Sequence, residues 1–334
     1  MASDALNLEE LSSLLGQAGI TASITDIFSL KGGANNRVYR VDLSQAPSLV
    51  IKSYFQHPQD LRPRLKAEFE FLTHAWNCGI RSIPQPIYQH IPRNVAIYSY
   101  LEGEPATGQH AHGSFVQSAA DFLRDLNLNK QAACHVLPAS DACLKLEHYI
   151  QIVDKRIALL LQAPQITEEE QKLHLFLQEQ LLPYWQALKY RPYCSSLEPS
   201  EYILTPSDFG LHNVLIDLEG QPYFIDFEYA GWDDPAKTIC DFFLQPKIPI
   251  SFEFFSLFLD FTANLCQDPR IVKDRVHYVF PLCALKWCCI ILNVFHPTSH
   301  ARRLFATGQN SNLFQQQLLL AKSMLTKAIS LSHS

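Results

Sequence analysis

The chain has no C-x-x-C pair, no basic run longer than Arg302-Arg303, no internal repeat, and no low-complexity tract beyond Gln315-Gln316-Gln317. Its nine cysteines are scattered, with only Cys288 and Cys289 adjacent. An odd count without paired spacing argues against a zinc knuckle or a disulfide framework. They read as reduced thiols buried as small hydrophobes. A net charge of −6 and the missing basic patch argue against nucleic acid as the main partner. The first ten residues, Met1 to Glu10, are acidic and lack the apolar region of a signal peptide. The apolar stretch Cys283 to Phe295 is broken by Lys286 and Asn293 and reads as too short to cross a bilayer. No membrane insertion is expected, and the cytoplasm is the default location. No residue pattern fixes an oligomeric state.

What is present suits a soluble enzyme. The 334 residues are 47% hydrophobic, enough for a sizeable core and too many for wholesale disorder. The most informative stretch runs from Thr205 to Asn213 and is followed by Phe224-Ile225-Asp226-Phe227-Glu228. Asp208 falls on a tight loop, and Asn213 lies at its far end before the apolar run Val214 to Ile216. A turn over Leu218 to Gln221 leads to a second strand, Pro222 to Ile225, which delivers Asp226 at its C-terminal end. Such a hairpin gathers three oxygen-bearing side chains at one end of a small sheet, where a hard cation can use them. Asp208 suits orientation and deprotonation of an attacking hydroxyl. Asn213 and Asp226 suit Mg²⁺ held against nucleotide phosphates. D-x-x-x-x-N alone is common in surface loops; the apolar strand, the turn and I-D-F-E at this distance make it specific.

The segment from Asp208 to Phe243 resembles the catalytic core of the aminoglycoside phosphotransferase and choline kinase superfamily, small-molecule relatives of protein kinases. The resemblance implies an α+β, bilobal, protein-kinase-like fold. A small antiparallel-sheet lobe over residues 1–100 would bind nucleotide, and a mostly helical lobe over 101–334 would carry the catalytic loop and acceptor pocket. Upstream segments agree. Gly32-Gly33 and Asn35 lie in a hairpin whose backbone could approach phosphates closely. Lys52 ends the apolar strand Ser48 to Tyr54, where an ammonium needs partners such as ATP phosphates and a carboxylate. A helix from about Arg62 to Cys78 follows, with Leu65, Phe69, Leu72 and Trp76 at helical spacing. The resemblance implies a glutamate there that pairs with the lysine: Glu68, with Glu70 as the alternative. Ser99, Tyr100 and Leu101 resemble the hinge that meets the adenine edge. The implied cofactors are ATP and Mg²⁺, and the implied partner is a small molecule with a hydroxyl group.

For the acceptor pocket, Glu228, Trp232, Asp233, Asp234 and Trp287 are the candidates. Aromatics beside carboxylates suit an ammonium through cation–π contact, or a sugar through stacking and hydrogen bonding. Trp287 reads equally well as core, and Asp233 and Asp234 as solvated loop acids. The expected substrate is a sugar or amino sugar. A choline or ethanolamine type of kinase, and a nucleotide-binding pseudokinase, are the alternatives. The chain departs from the family twice around the loop. Pro206 stands where a bracing histidine is usual, so proline and packing are expected to stiffen the loop. Thr238 stands where an aspartate steadies it, leaving Asp241 to substitute or the brace to be lost. The helix before the loop ends in Leu126-Asn127, where the family often has Leu-His.

Overall fold

Alternation along one strand explains how the N-terminal sheet is covered on both faces. In β3 (Ala46–Tyr54), Leu49 and Ile51 point outward, where Leu11, Leu14 and Leu15 of helix α1 (Leu8–Gln17) seal them with Val41, Val95 and Ile97. Val50 and Tyr54 face the opposite way, toward the main core, and Lys52 lies between them on that face. The computed structural model describes residues 7–30, 36–56, 60, 62–192, 197–296 and 312–331. The sheet is antiparallel throughout, in the order β1 (Ile24–Leu30), β2 (Asn36–Leu43), β3, β5 (Val95–Ser99), β4 (Pro86–His90). Helix α2 (Arg64–Asn77) connects β3 to β4 and packs toward the core through Leu65, Phe71, Leu72 and Ala75. α1 starts at a capping box, with Asn7 and Glu10 each accepting the other's backbone N–H.

The remainder is mostly helical: α3 (Gly113–Asn127), α4 (Leu146–Leu161), α5 (Glu168–Phe176), α6 (Leu182–Lys189), α7 (Pro235–Leu244), α8 (Phe255–Ala263), α9 (Pro269–Leu292) and α10 (Leu313–Leu331). A single π turn, Leu177–Leu181, joins α5 to α6 just before Pro183, whose missing N–H cannot serve the α-ladder. The expected catalytic hairpin is present as β8 (Val214–Ile216) and β9 (Pro222–Phe224), its turn held by Asp217 Oδ1 accepting from Glu219 and Gln221 N–H. β6 (Glu104–Pro105) joins its edge. β7 (Ile203–Thr205) pairs with β10 (Gly231–Asp233). Strands of two or three residues leave no readable period, so β6, β7 and β10 had no sequence signal.

Helix α9 starts at Pro269, where Asp268 caps it and Pro269 opens it. With the following turn it spans Pro269–Phe295, 27 residues that include an 18-residue window of mean hydropathy 1.8, so by length and composition it could cross a bilayer, contrary to the expectation from Cys283 to Phe295. The apolar window is 83% buried inside the protein, where α4, α7 and α10 pack around it. Of the eight described cysteines, all free thiols, six are buried, Cys78 is half-buried and Cys134 exposed.

Gly231 sets how closely the 137–139 segment approaches β10. Its φ is +155°, and a Cβ there would lie 2.2 Å from the Leu137 carbonyl oxygen and 2.6 Å from Ala139 N. The same segment exchanges backbone hydrogen bonds with Trp232 on both sides. Gly231→Ala is expected to destabilise the protein by about 3 kcal/mol, combining backbone strain with displacement of the segment. Urea unfolding measures it; a loss below about 1 kcal/mol would mean that the segment yields freely.

Candidate active site

Each of the two acids predicted to do chemistry is followed by a phenylalanine, and both rings enter one aromatic cluster. Phe209, after Asp208, packs against Phe122, Phe224 and Phe242 at centroid distances of 5.9, 5.5 and 5.4 Å. Phe227, after Asp226, stacks on Phe71 of α2 at 5.1 Å and on Phe122 at 6.1 Å. Phe122 thus touches both loops. Backbone bonding closes the gap between the candidate metal ligands, because Ile225 N–H donates to the Asn213 carbonyl at 3.0 Å. Asn213 and Asp226 therefore sit side by side at the end of the β8–β9 hairpin.

Lys52 joins three elements. Its Nζ is 2.7 Å from Glu68 Oε2 on α2 and 2.6 Å from Asp226 Oδ1. Glu68 is held from three directions: it accepts from Lys52, from the Tyr54 hydroxyl at 2.9 Å and from Phe227 N–H at 3.3 Å. Lys52 is 7% exposed. Burial alone would lower its pKa, but the charges of Asp226, Glu68 and Glu228 outweigh that, so it is raised and the ammonium persists. Glu70, the alternative partner, pairs with Lys66 at 3.8 Å instead.

The catalytic loop is built from short local bonds. Asn127 fastens β7 before it, accepting from Leu204 N–H at 2.8 Å and donating to the Leu204 carbonyl at 3.0 Å. Pro206 is buried, and its carbonyl accepts from Asp208 N–H at 2.9 Å. Ser207 adopts φ +65° and Asp226 φ +66°, left-handed conformations that cost about 1–3 kcal/mol each when surrounding packing enforces them. Asn213 Nδ2 donates to the Asp208 carbonyl at 3.0 Å. That bond commits the amide nitrogen and leaves the Asn213 side-chain oxygen for a cation. His212 Nε2 lies 3.1 Å from Asp208 Oδ1. Burial would raise the Asp208 pKa, but the His212 hydrogen bond, with Asn213 and Lys247, outweighs it and holds the carboxyl below its ordinary range.

Other expected site residues are placed differently. Gly32, Gly33 and Asn35 lie outside the described residues. At the hinge, Ser99 N–H is bonded to the Gln85 carbonyl at 3.0 Å and Tyr100 N–H to Ser48 at 3.2 Å. Among the described residues, only Leu101 of these three keeps an uncommitted N–H for a nucleotide base. The Tyr100 ring lies under the Arg40 guanidinium, 4.4 Å from centroid to cation. Glu228 is buried, accepts from Asn36 Nδ2 at 2.6 Å and lies 3.4 Å from Arg64 Nε. It ties the N-terminal sheet and α2 to the loop after β9, and its carboxylate is engaged there and not open to a pocket.

Asp233 and Asp234 are fully buried, against both readings made for them. Asp233 binds Lys237 Nζ at 2.6 Å and Cys143 N–H at 2.7 Å. Asp234 caps α7 through Ala236 N–H, binds the Tyr149 hydroxyl at 2.8 Å and pairs with Arg275. Trp232 turns its indole N–H to the Ala133 carbonyl at 3.2 Å and lines a separate cavity of about 660 Å³ with Lys130 and Leu265. Trp287 donates to Asp241 Oδ1 at 2.8 Å, and Lys286 binds the same carboxylate at 2.6 Å. Asp241 therefore does not brace the catalytic loop, and Thr238 is bonded only to the Asp234 carbonyl within its own helix.

A Lys–Glu pair fixed on a small antiparallel sheet, with an aspartate loop and an Asn–Asp end on the hairpin below, defines a kinase-like phosphotransfer fold. The sequence matches the model of the phosphotransferase enzyme family over residues 27–242, and the chain belongs to that family. It is a small-molecule phosphotransferase with an alcohol group as acceptor. No curated protein sequence gives a match. Solved structures similar to this chain include a choline/ethanolamine kinase family protein from Mesorhizobium loti, at TM-score 0.59 and 15% identity over 98% of both chains. Another is spectinomycin phosphotransferase APH(9)-Ia in complex with ADP and spectinomycin, at TM-score 0.61 and 15% identity over 98% of this chain and 97% of that one. Choline kinase LicA from Streptococcus pneumoniae aligns at TM-score 0.59 and 13% identity over 96% and 98%.

Two predictions test the site. Asp226→Ala is expected to abolish the Mg²⁺-dependent part of thermal stabilisation by ATP, since it removes the anionic oxygen at the hairpin end. Equal shifts for wild type and variant would reject Asp226 as the metal ligand. Pro206→His is expected to cost about 1 kcal/mol and to leave turnover no higher, because it frees φ and puts a polar ring at a buried position. A gain in phosphoryl transfer would show the loop to be incomplete as it stands.

Proposed function

We propose that the protein transfers the γ-phosphoryl group of ATP, with Mg²⁺, to a hydroxyl of a sugar or amino sugar. The observation that carries the choice of acceptor is the state of Tyr229 and Glu228. They end the Ile225 to Tyr229 run, whose wording resembles the choline/ethanolamine kinase form of the family. Arg62 and Arg64 place their guanidinium carbons 5.3 and 5.9 Å from the Tyr229 ring centroid. Glu228 is engaged by Asn36 and Arg64. An aromatic face already carrying two cations, beside an acid already paired, is a poor seat for a quaternary ammonium.

The roles follow from the side chains. Lys52, fixed by Glu68, supplies an ammonium for nucleotide phosphates, and the Leu101 N–H serves the base. The side-chain oxygens of Asn213 and Asp226 fit a hard cation, and such an ion, when bound, neutralises charge on the phosphates. Asp208 accepts the acceptor's hydroxyl proton. The new O–P bond forms as the bond from the γ-phosphorus to its bridging oxygen breaks, and that electron pair leaves with ADP.

A coupled ADP-release screen across sugars, amino sugars and amino alcohols tests the reading. Turnover is expected with sugar hydroxyls. Efficient turnover of choline would overturn the acceptor class, and nucleotide binding without turnover on any acceptor would favour the pseudokinase. Asp208→Asn is expected to lower turnover by about 10²–10⁴-fold with little change in nucleotide affinity. Near-normal turnover would mean that Asp208 is not the base.

A further inference from the structure

Opposite the position where Pro206 replaces the usual bracing histidine, the loop carries a different histidine. His212 lies one residue before Asn213, and its Nε2 is 3.1 Å from Asp208 Oδ1. Its side chain is only 7% exposed. The other ring nitrogen, Nδ1, is buried and has no hydrogen-bond partner. A carboxylate only accepts hydrogen bonds, so the proton of this contact belongs to Nε2. A neutral ring with its proton there leaves Nδ1 as a bare lone pair, which costs less in a buried site than an unsatisfied N–H would.

Room for the ring comes from the glycine two residues earlier. A Cβ on Gly210 would stand 2.9 Å from His212 Nδ1 and 3.1 Å from Cε1. The backbone there is extended, so the glycine's value is the space it leaves and not its conformation. Asn213 meanwhile holds the Asp208 main chain by its carbonyl. Main chain and side chain of Asp208 are thus fixed by adjacent residues of one short turn, Leu211–Asn213.

We infer that His212 is a positioning residue for phosphoryl transfer: its Nε2–H holds Oδ1 of Asp208, fixes the carboxylate plane and leaves Oδ2 for the acceptor hydroxyl. The inference rests on the reading of Asp208 as the base. It places the brace on the carboxylate itself, downstream of Asp208, and makes the packing of Pro206 alone insufficient to aim the acid. Small displacements of a reacting group cost rate steeply, so the effect should fall on turnover and spare nucleotide binding.

The test uses the full-length protein with ATP and Mg²⁺, with water as the acceptor and phosphate release as the signal, in His212→Leu and His212→Gln. Leucine fills the space without a donor, and glutamine returns an N–H at similar reach. Expected for His212→Leu is a fall in kcat of about 10–100-fold, with KM for ATP within about two-fold. Expected for His212→Gln is recovery to within about five-fold of wild type. Equal loss in both variants, an unchanged kcat in His212→Leu, or a change confined to KM would overturn the assignment.

Ring ¹⁵N NMR of the wild type supplies an arm that does not need turnover. A proton on Nε2 and none on Nδ1, with the Nε2–H resonance shifted in Asp208→Ala, is the expected result. A proton on Nδ1 with a bare Nε2 would overturn the inference even in a protein that turns nothing over. A wild type that turns over neither water nor any acceptor of the screen but shows the expected ring spectrum would count against the proposed function and not against the His212–Asp208 contact.

Discussion

The buried ammonium of Lys52 is the interaction on which the rest of the site depends. It lies on a strand of the N-terminal sheet, yet its two carboxylate partners come from α2 and from the loop after β9. Burying these charges is costly, and breaking such a pair by removing one partner costs more still. Loss of one partner leaves a charge stranded in a poorly solvated place, so strand, helix and metal loop are held in a single relative position. The same contact sets up competition. On the proposed roles, incoming phosphates and their cation would have to share both groups, with Glu68 keeping the lysine in place. The Tyr54 hydroxyl and the Phe227 amide hold Glu68 independently of Lys52, which suits it to that duty.

Around this pivot, the reactive acids are held by apolar packing as much as by polar contacts. Asp226 and the residue before Asp208 both occupy left-handed backbone conformations. That strain persists only where neighbours over-determine the geometry. Phe209 and Phe227 supply that constraint, since each is almost fully buried and both lean on Phe122 of α3. A D-F pair at each functional position lets one core side chain fix the adjoining acid. Errors in the core would therefore be felt as misaimed chemistry before they appeared as unfolding.

The sequence was legible where neighbours are set by local spacing. Asp208, Asn213 and Asp226 could be located because a loop and a tight hairpin fix their separation, and Lys52 and Glu68 because a strand end and a helix face present them. It was misleading where an acid's environment depends on distant partners. Asp234 needs Arg275 and Asp241 needs Lys286, each more than forty residues away. No local pattern separates a buried, paired acid from one lining a pocket. A signal did exist for the nearer pair, since Asp233, Lys237 and Asp241 recur at i, i+4 on and before one helix. Placing them on the core side would have required the apolar pattern of α7, which is buried all round and so gives no face to read. His212 gives no local sign either, because a lone histidine in a loop looks the same whether it meets an acid or solvent.

These placements change what kind of acceptor pocket the chain can have. Asp233, Asp234 and Asp241 are neutralised inside the protein by Lys237, Arg275 and Lys286, three acids against three bases, and Glu228 is engaged by Arg64 and Asn36. None of these carboxylates is left to confront a substrate cation. For the proposed sugar or amino sugar acceptor, orientation would then come mainly from neutral hydrogen bonding and shape, with Asp208 as the charged group at the reacting oxygen. Selectivity built that way comes from leaving a polar group unsatisfied when the wrong hydroxyl pattern binds, and such penalties discriminate more sharply than the attraction of one charge for another across solvent. A polyhydroxylated ligand offers many such groups, whereas choline offers one. On the proposed function, the paired acids would bear on specificity by being withdrawn from the pocket, even though they touch no substrate.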